Sequence, residues 1–183
     1  MGGPFDLSDT WTWDGVTWVN TGASGPSPRA YSVLAPLNGE LVLFGGEGPD
    51  NNALGDTWTW DGSGWAQPPS LDASPPARLE AVMAPWNRQL VLFGGYEGGH
   101  RLSDTWTWSG TAWANATSTP SPSARDTAMM APVGGKLVLF GGVTNTEGGT
   151  AVPLSDTWVY DGAWTALDVA GPSARDQAIM ATR

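Results

Sequence analysis

Apolar and polar positions alternate in short bursts along this chain, and the bursts recur at a fixed spacing. Asp-Thr-Trp-Thr-Trp occupies 9–13, 56–60 and 104–108 and returns as Asp-Thr-Trp-Val-Tyr at 156–160, in steps of 47, 48 and 52 residues. Its period of two places Trp11 and Trp13 on one face of a strand and the threonines on the other. A second burst, Leu-Val-Leu-Phe-Gly-Gly, ends at Gly46, Gly95 and Gly142. It is apolar without interruption, the pattern of a strand buried on both faces. A third stretch, rich in Pro and Ser, closes on Arg29, Arg78, Arg125 and Arg175 in steps of 49, 47 and 50, followed by small and apolar residues. Self-similarity at a fixed period outranks any local reading of the chain.

Each period reads as four short strands. The first follows the arginine, as at Tyr31 to Ala35, and is expected to stop at Pro36, Pro85 or Pro132, because proline donates nothing to a continuing ladder. The second covers Glu40 to Phe44, Gln89 to Phe93 and Lys136 to Phe140; the third is the Asp-Thr-Trp segment; the fourth carries a lone Trp at 18, 65, 113 or 164. Between the third and fourth stand Asp14-Gly15, Asp61-Gly62, Ser109-Gly110 and Asp161-Gly162, residues that suit tight turns because they accept positive φ. No segment of helical period competes.

An all-β repeat of four antiparallel strands over about 40 to 50 residues has the form of a propeller blade. The Gly-Gly doublet ending an apolar strand, then Asp-x-Trp-x-Trp, then a lone Trp, with Arg opening the next unit, closely resembles the kelch repeat over nearly the whole chain. The resemblance implies a kelch-type β-propeller of four-stranded blades. One departure stands out: kelch repeats often carry His three residues after the Arg, and this chain has Ser32, Ala81, Ala128 and Ala178 there.

Counted against that pattern, complete blades fall at roughly 27–66, 76–114 and 123–166, with a fourth split between 5–19 and 173–183 and lacking its second strand. The expectation is therefore a partial propeller completed by another copy of itself. Completion by a different protein and a truncated or engineered piece of a longer propeller are the alternatives. Open strand edges favour pairing with other chains.

Composition narrows the function. Lys and Arg number 8 against 18 Asp and Glu, a net charge of −10, which disfavours nucleic-acid binding through neutralised phosphates. The absence of cysteine removes disulfides, thiolate metal sites and a cysteine nucleophile, and a single His, His100, cannot build a multi-histidine centre. The copper radical oxidases of the kelch fold need both, so that branch is excluded. No basic-then-apolar leader and no apolar run of about 18 residues is expected, so no membrane association is; the compartment stays open.

Eleven of the 12 tryptophans hold repeat positions and are expected in the core between blades. Trp86 stands outside the repeat at a predicted turn, either as an exposed contact or as a loop plug. Arg29, Arg78, Arg125 and Arg175 should lie at the same end of the blades as Asp9, Asp56, Asp104 and Asp156. Pairing them off as structural ion pairs is the plain reading, and an anion-binding ring at a channel mouth is the functional one. The longest loops, Glu47 to Ala53, Tyr96 to Arg101 and Val143 to Pro153, gather at that end. Among them Tyr96, Glu97, His100 and Arg101 form the most varied candidate surface. Glu47, Asp50, Asn51, Asn52 and Asp56 fit no established calcium loop. The expectation is a non-enzymatic scaffold without cofactor or metal, binding itself, another protein or a glycan.

Overall fold

The computed structural model describes residues 7–69 and 73–181; Gly2-Gly3 and residues 5, 6, 182 and 183 of the expected split blade lie outside the described residues. All regular structure among the described residues is β-strand, so none of it offers a helix long and apolar enough to cross a membrane. The strands are β1 Trp11–Trp13, β2 Trp18–Asn20, β3 Val33–Leu37, β4 Glu40–Phe44, β5 Thr57–Trp60 and β6 Trp65–Ala66. They continue as β7 Val82–Trp86, β8 Gln89–Phe93, β9 Tyr96–Glu97, β10 His100–Arg101, β11 Thr105–Trp108 and β12 Trp113–Asn115. The last are β13 Met129–Val133, β14 Lys136–Phe140, β15 Val143–Asn145, β16 Ala151–Pro153, β17 Thr157–Tyr160 and β18 Trp164–Leu167.

Three four-stranded antiparallel sheets follow in chain order: β3-β4-β5-β6, then β7-β8-β11-β12, then β13-β14-β17-β18. Their registers coincide, with Phe44 opposite Thr57, Phe93 opposite Thr105 and Phe140 opposite Thr157. Turn chemistry pins each outer hairpin. The Asp14 carboxylate accepts the Val16 and Thr17 N–H groups at 2.8 Å, and Asp61 does the same for Ser63 and Gly64.

The sheets stack face to face in series. Val42 and Phe44 of the first sheet pack with Leu90, Leu92, Trp106, Trp108 and Trp113 of the second. Val91 and Phe93, on the opposite face of the same strand β8, pack with Leu137, Leu139, Tyr160 and Trp164 of the third. The uninterrupted apolar run of β8 therefore serves two cores, and Leu90 to Phe93 are fully buried. Edge-to-face pairs recur across these junctions: Phe44 with Trp113 at 5.3 Å and Phe93 with Trp164 at 5.2 Å. Indole N–H bonds recur with them, Trp113 to the Thr57 hydroxyl and Trp164 to the Thr105 hydroxyl, both at 2.9 Å.

Four expectations are corrected or refined. The prolines lie inside β3, β7 and β13, one residue before each strand ends. These are edge strands of their sheets, where a missing donor costs no ladder bond. Two of the expected loops are hairpins, β9–β10 and β15–β16; the first turns on Gly98 and Gly99, both at positive φ. The strands of the split blade do not join: β1 and β2 pair only with each other, and 173–181 form no strand. Finally, the core expectation fails for the first three tryptophans, since Trp11, Trp13 and Trp18 are 50%, 51% and 65% exposed. Their equivalents in the second sheet, Trp106, Trp108 and Trp113, are covered by the first sheet, and among the described residues no sheet packs on these three.

Candidate functional site

The arginines and aspartates meet at one end of each sheet. Arg29 pairs with Asp56, Arg78 with Asp104 and Arg125 with Asp156, each at 2.7 Å and each within one sheet. Every pair is a two-pronged grip, the second bond running at 2.7–2.8 Å to the other carboxylate oxygen. The same guanidinium donates to the carbonyl of the first glycine after the second strand: Gly45, Gly94 or Gly141. With Ser27 and Ser123 supplying two further acceptors each, all five donors of Arg29 and Arg125 are engaged. These guanidinium groups have no donors left for an anion.

Each carboxylate also accepts an indole N–H on the oxygen that takes the second arginine bond, from Trp58 on Asp56, Trp106 on Asp104 and Trp158 on Asp156, at 2.6–2.7 Å. Burial alone would push these three carboxyls up, but the arginine and indole bonds outweigh it and hold all three below the usual range. Asp9 already accepts the Trp11 indole, yet none of the described arginines pairs with it. Arg175 is the converse: among the described residues its side chain bonds the Ser173 carbonyl and hydroxyl and no carboxylate.

The arginine backbone ties neighbouring sheets together. Gly46 donates to the Arg78 carbonyl, Gly95 to that of Arg125 and Gly142 to that of Arg175, at 2.9–3.0 Å. The approach is so close that a Cβ on Gly45, Gly94 or Gly141 would sit 2.5 Å from the arginine carbonyl of the next repeat. The glycine doublets therefore make contact between sheets as well as turning the chain.

Two residues beyond each arginine lies a feature with no sequence signal. Tyr31, Glu80, Thr127 and Gln177 all have φ between 49° and 57°, and their backbones link in a row: Glu80 N–H to Tyr31 O, Thr127 to Glu80, Gln177 to Thr127, at 3.0–3.2 Å. Four different residue types share this left-handed conformation because the inter-sheet bond, not the side chain, imposes it. Such positions cost on the order of 1–3 kcal/mol each and persist where surrounding structure determines them. Together with Ser32, Ala81, Ala128 and Ala178 they line an open hollow of about 420 Å³. The departures from His noted in the sequence put small side chains into this wall.

Among the residues lining the hollow, Glu80 is the acid. Burial raises the Glu80 carboxyl, and Asp126, Glu47 and Asp176 add repulsion that Arg101 opposes. Asp126 is likewise raised by burial although Arg101 approaches it at 2.8 Å. The Arg101 guanidinium lies 5.9 Å from the centre of the Tyr96 ring and bonds the Asn145 amide oxygen of the next sheet's hairpin. Of the candidate loop residues, then, Arg101 is a fastener between sheets, while Glu97 and His100 face each other across β9–β10 and are exposed. Trp86 belongs elsewhere: it ends β7 at the opposite end of the sheet, donates to the Gly135 carbonyl at 3.0 Å and packs edge-on against Tyr160 at 5.1 Å. It plugs the junction with the third sheet. Among the described residues no three His, Asp or Glu side chains cluster to hold a metal ion.

No protein-family model matches the chain, and no curated protein matches it.

Proposed function

We propose that this chain is a kelch-type β-propeller scaffold without chemistry of its own, completed by further copies of itself and presenting its variable hairpins as an interaction surface. One observation carries the reading: three sheets in the same register are joined by the same set of bonds at each junction. Arginine carbonyl to glycine, indole to threonine and aromatic edge to face all repeat. A unit that adds neighbours by an unchanging rule is the logic of repeat proteins, in which each repeat buries its apolar face on the next. The kelch assignment is supported by the roles of the motif residues, since Gly-Gly, Arg and Asp-x-Trp each act at the junction or the sheet end in every unit. The non-enzymatic part rests on composition, with no cysteine and one exposed histidine.

The exposed Trp11, Trp13 and Trp18 favour a second reading, an aromatic surface for a glycan. It is the weaker one, because the same three positions in the second sheet, Trp106, Trp108 and Trp113, pack against protein.

Negative-stain electron microscopy tests the scaffold reading. It predicts ring-shaped particles with a central channel. Particles without a channel, or open strings, overturn it.

A further inference from the structure

We infer that the chain carries two complementary half-interfaces, and that the exposed face of β1–β2 docks head-to-tail on the outer face of the third sheet of a second copy, Asp9 pairing with Arg175. The inference rests on the self-completion reading above and supplies its contacts.

The outer face of the third sheet is the unfilled counterpart of the two internal junctions. Phe140 and Thr157 sit where Phe44 and Thr57, and Phe93 and Thr105, receive an indole from the following sheet. Among the described residues no sheet lies on this face, and Val138, Phe140, Thr157 and Arg175 line an apolar hollow of about 310 Å³. The exposed face of β1–β2 is the unfilled counterpart on the other side. Trp18 and Trp13 hold the places of Trp113 and Trp108, down to the ring spacing, 5.4 Å against 5.2 Å, and the tilt, 46° against 47°. The hairpin's other face already follows the rule, because the Trp65 indole donates to the Thr10 hydroxyl at 2.8 Å.

The charges are complementary in the same way. Arg175 is mounted like its equivalents, its N–H on the Leu154 carbonyl and its own carbonyl taking the Gly142 N–H, as Arg78 does with Leu54 and Gly46. Among the described residues it lacks the carboxylate and the glycine carbonyl that its equivalents grip. Asp9 accepts the Trp11 indole on one oxygen as Asp56 accepts Trp58, and among the described residues it lacks the guanidinium and the glycine N–H that Asp56 holds. The connector fits too. Gly25, four residues before Arg29, lies so close to Trp65 that a Cβ would meet the indole at 2.4 Å, and Gly171, four before Arg175, lies beside Phe140 and Thr157, where Trp18 of the second copy would arrive. Placed by the repeat, that Trp18 donates to Thr157 and meets Phe140 edge-on. Because different surfaces meet, the contact is heterologous, and copies add in one direction until the assembly closes.

Charge reversal with size-resolved mass measurement tests the docking. Asp9→Arg alone and Arg175→Asp alone each set like charges against each other and are expected to weaken self-association at least about tenfold. Mixed in equal amounts, they are expected to assemble again, only with even numbers of chains in strict alternation. The double variant Asp9→Arg/Arg175→Asp is expected to assemble like the unmodified chain, which controls for folding. Trp18→Ala weakens assembly without reversing a charge. Single variants that assemble as well as the unmodified chain, or a mixture that stays dissociated while the double variant assembles, overturn the docking and leave self-completion standing. An unmodified chain that stays monomeric, whether closed on itself or awaiting a different protein, overturns both.

Discussion

The Arg78 guanidinium grips the Asp104 carboxylate at 2.7 and 2.8 Å within one sheet, while the Arg78 carbonyl accepts the Gly46 N–H of the sheet before it. One residue thus closes its own unit and fastens the neighbour, and it is almost fully buried while doing so. Asp104→Ala leaves that guanidinium with two carbonyl acceptors and no counter-charge. The expected loss is about 3–5 kcal/mol in urea unfolding, the range for breaking a buried pair by removing one partner. A loss below about 1 kcal/mol shows that the pair is not needed for stability.

The same pairs set an acid limit. Asp56, Asp104 and Asp156 have folded values below the unfolded value of about 3.9. Their contribution is fully present above that value and is lost as pH falls through the folded values. Thermal midpoints are therefore expected to drop steeply below about pH 4, and Asp104→Asn, which is uncharged throughout, is expected to flatten part of that slope. Equal acid slopes in the two proteins contradict the assignment.

Glu80 has the opposite sign. Its folded value is raised, so its ionisation costs stability as pH rises from the unfolded value through the folded one. Glu80→Gln removes the charge and should raise the thermal midpoint at pH 7 while changing little at pH 4. A lower midpoint at pH 7 means that Glu80 makes a favourable charged contact instead.

Trp108 and Trp13 hold the same repeat position in different surroundings, one fully buried and one half exposed. Trp108→Ala is expected to cost about 3–5 kcal/mol. Trp13→Ala, measured on dilute, dissociated chains, is expected to cost under about 1 kcal/mol. Similar losses in both variants show that Trp13 is covered within its own chain.

Gly94 combines φ of +66° with a Cβ position 2.5 Å from the Arg125 carbonyl. Gly94→Ala must open the junction between the second and third sheets, at a cost of about 2 kcal/mol or more. Gly62→Ala, also at positive φ but in open space, is the control, with a smaller loss from backbone strain alone.

The strands were legible in the sequence because period-two alternation and a Gly-containing turn, Asp-Gly in three copies and Ser-Gly in the other, are local signals that recur. The junction chemistry was half legible. Arg and Asp could be brought to one end by antiparallel order, but the arginine carbonyl's bond to the preceding glycine involves backbone atoms that leave no compositional trace. The left-handed run at Tyr31, Glu80, Thr127 and Gln177 was hidden for the same reason. The sequence left Trp86 open between an exposed contact and a loop plug because its partners, Gly135 and Tyr160, are supplied by another sheet. The exposure of Trp11, Trp13 and Trp18 was missed because repeat position says what a residue packs against only when the neighbouring unit is there.

Native mass spectrometry of the unmodified chain across a range of concentrations tests the central claim, that the two ends of the sheet stack complete each other between copies. The account predicts one discrete multiple of the chain mass that dissociates on dilution. A monomer at every concentration contradicts it.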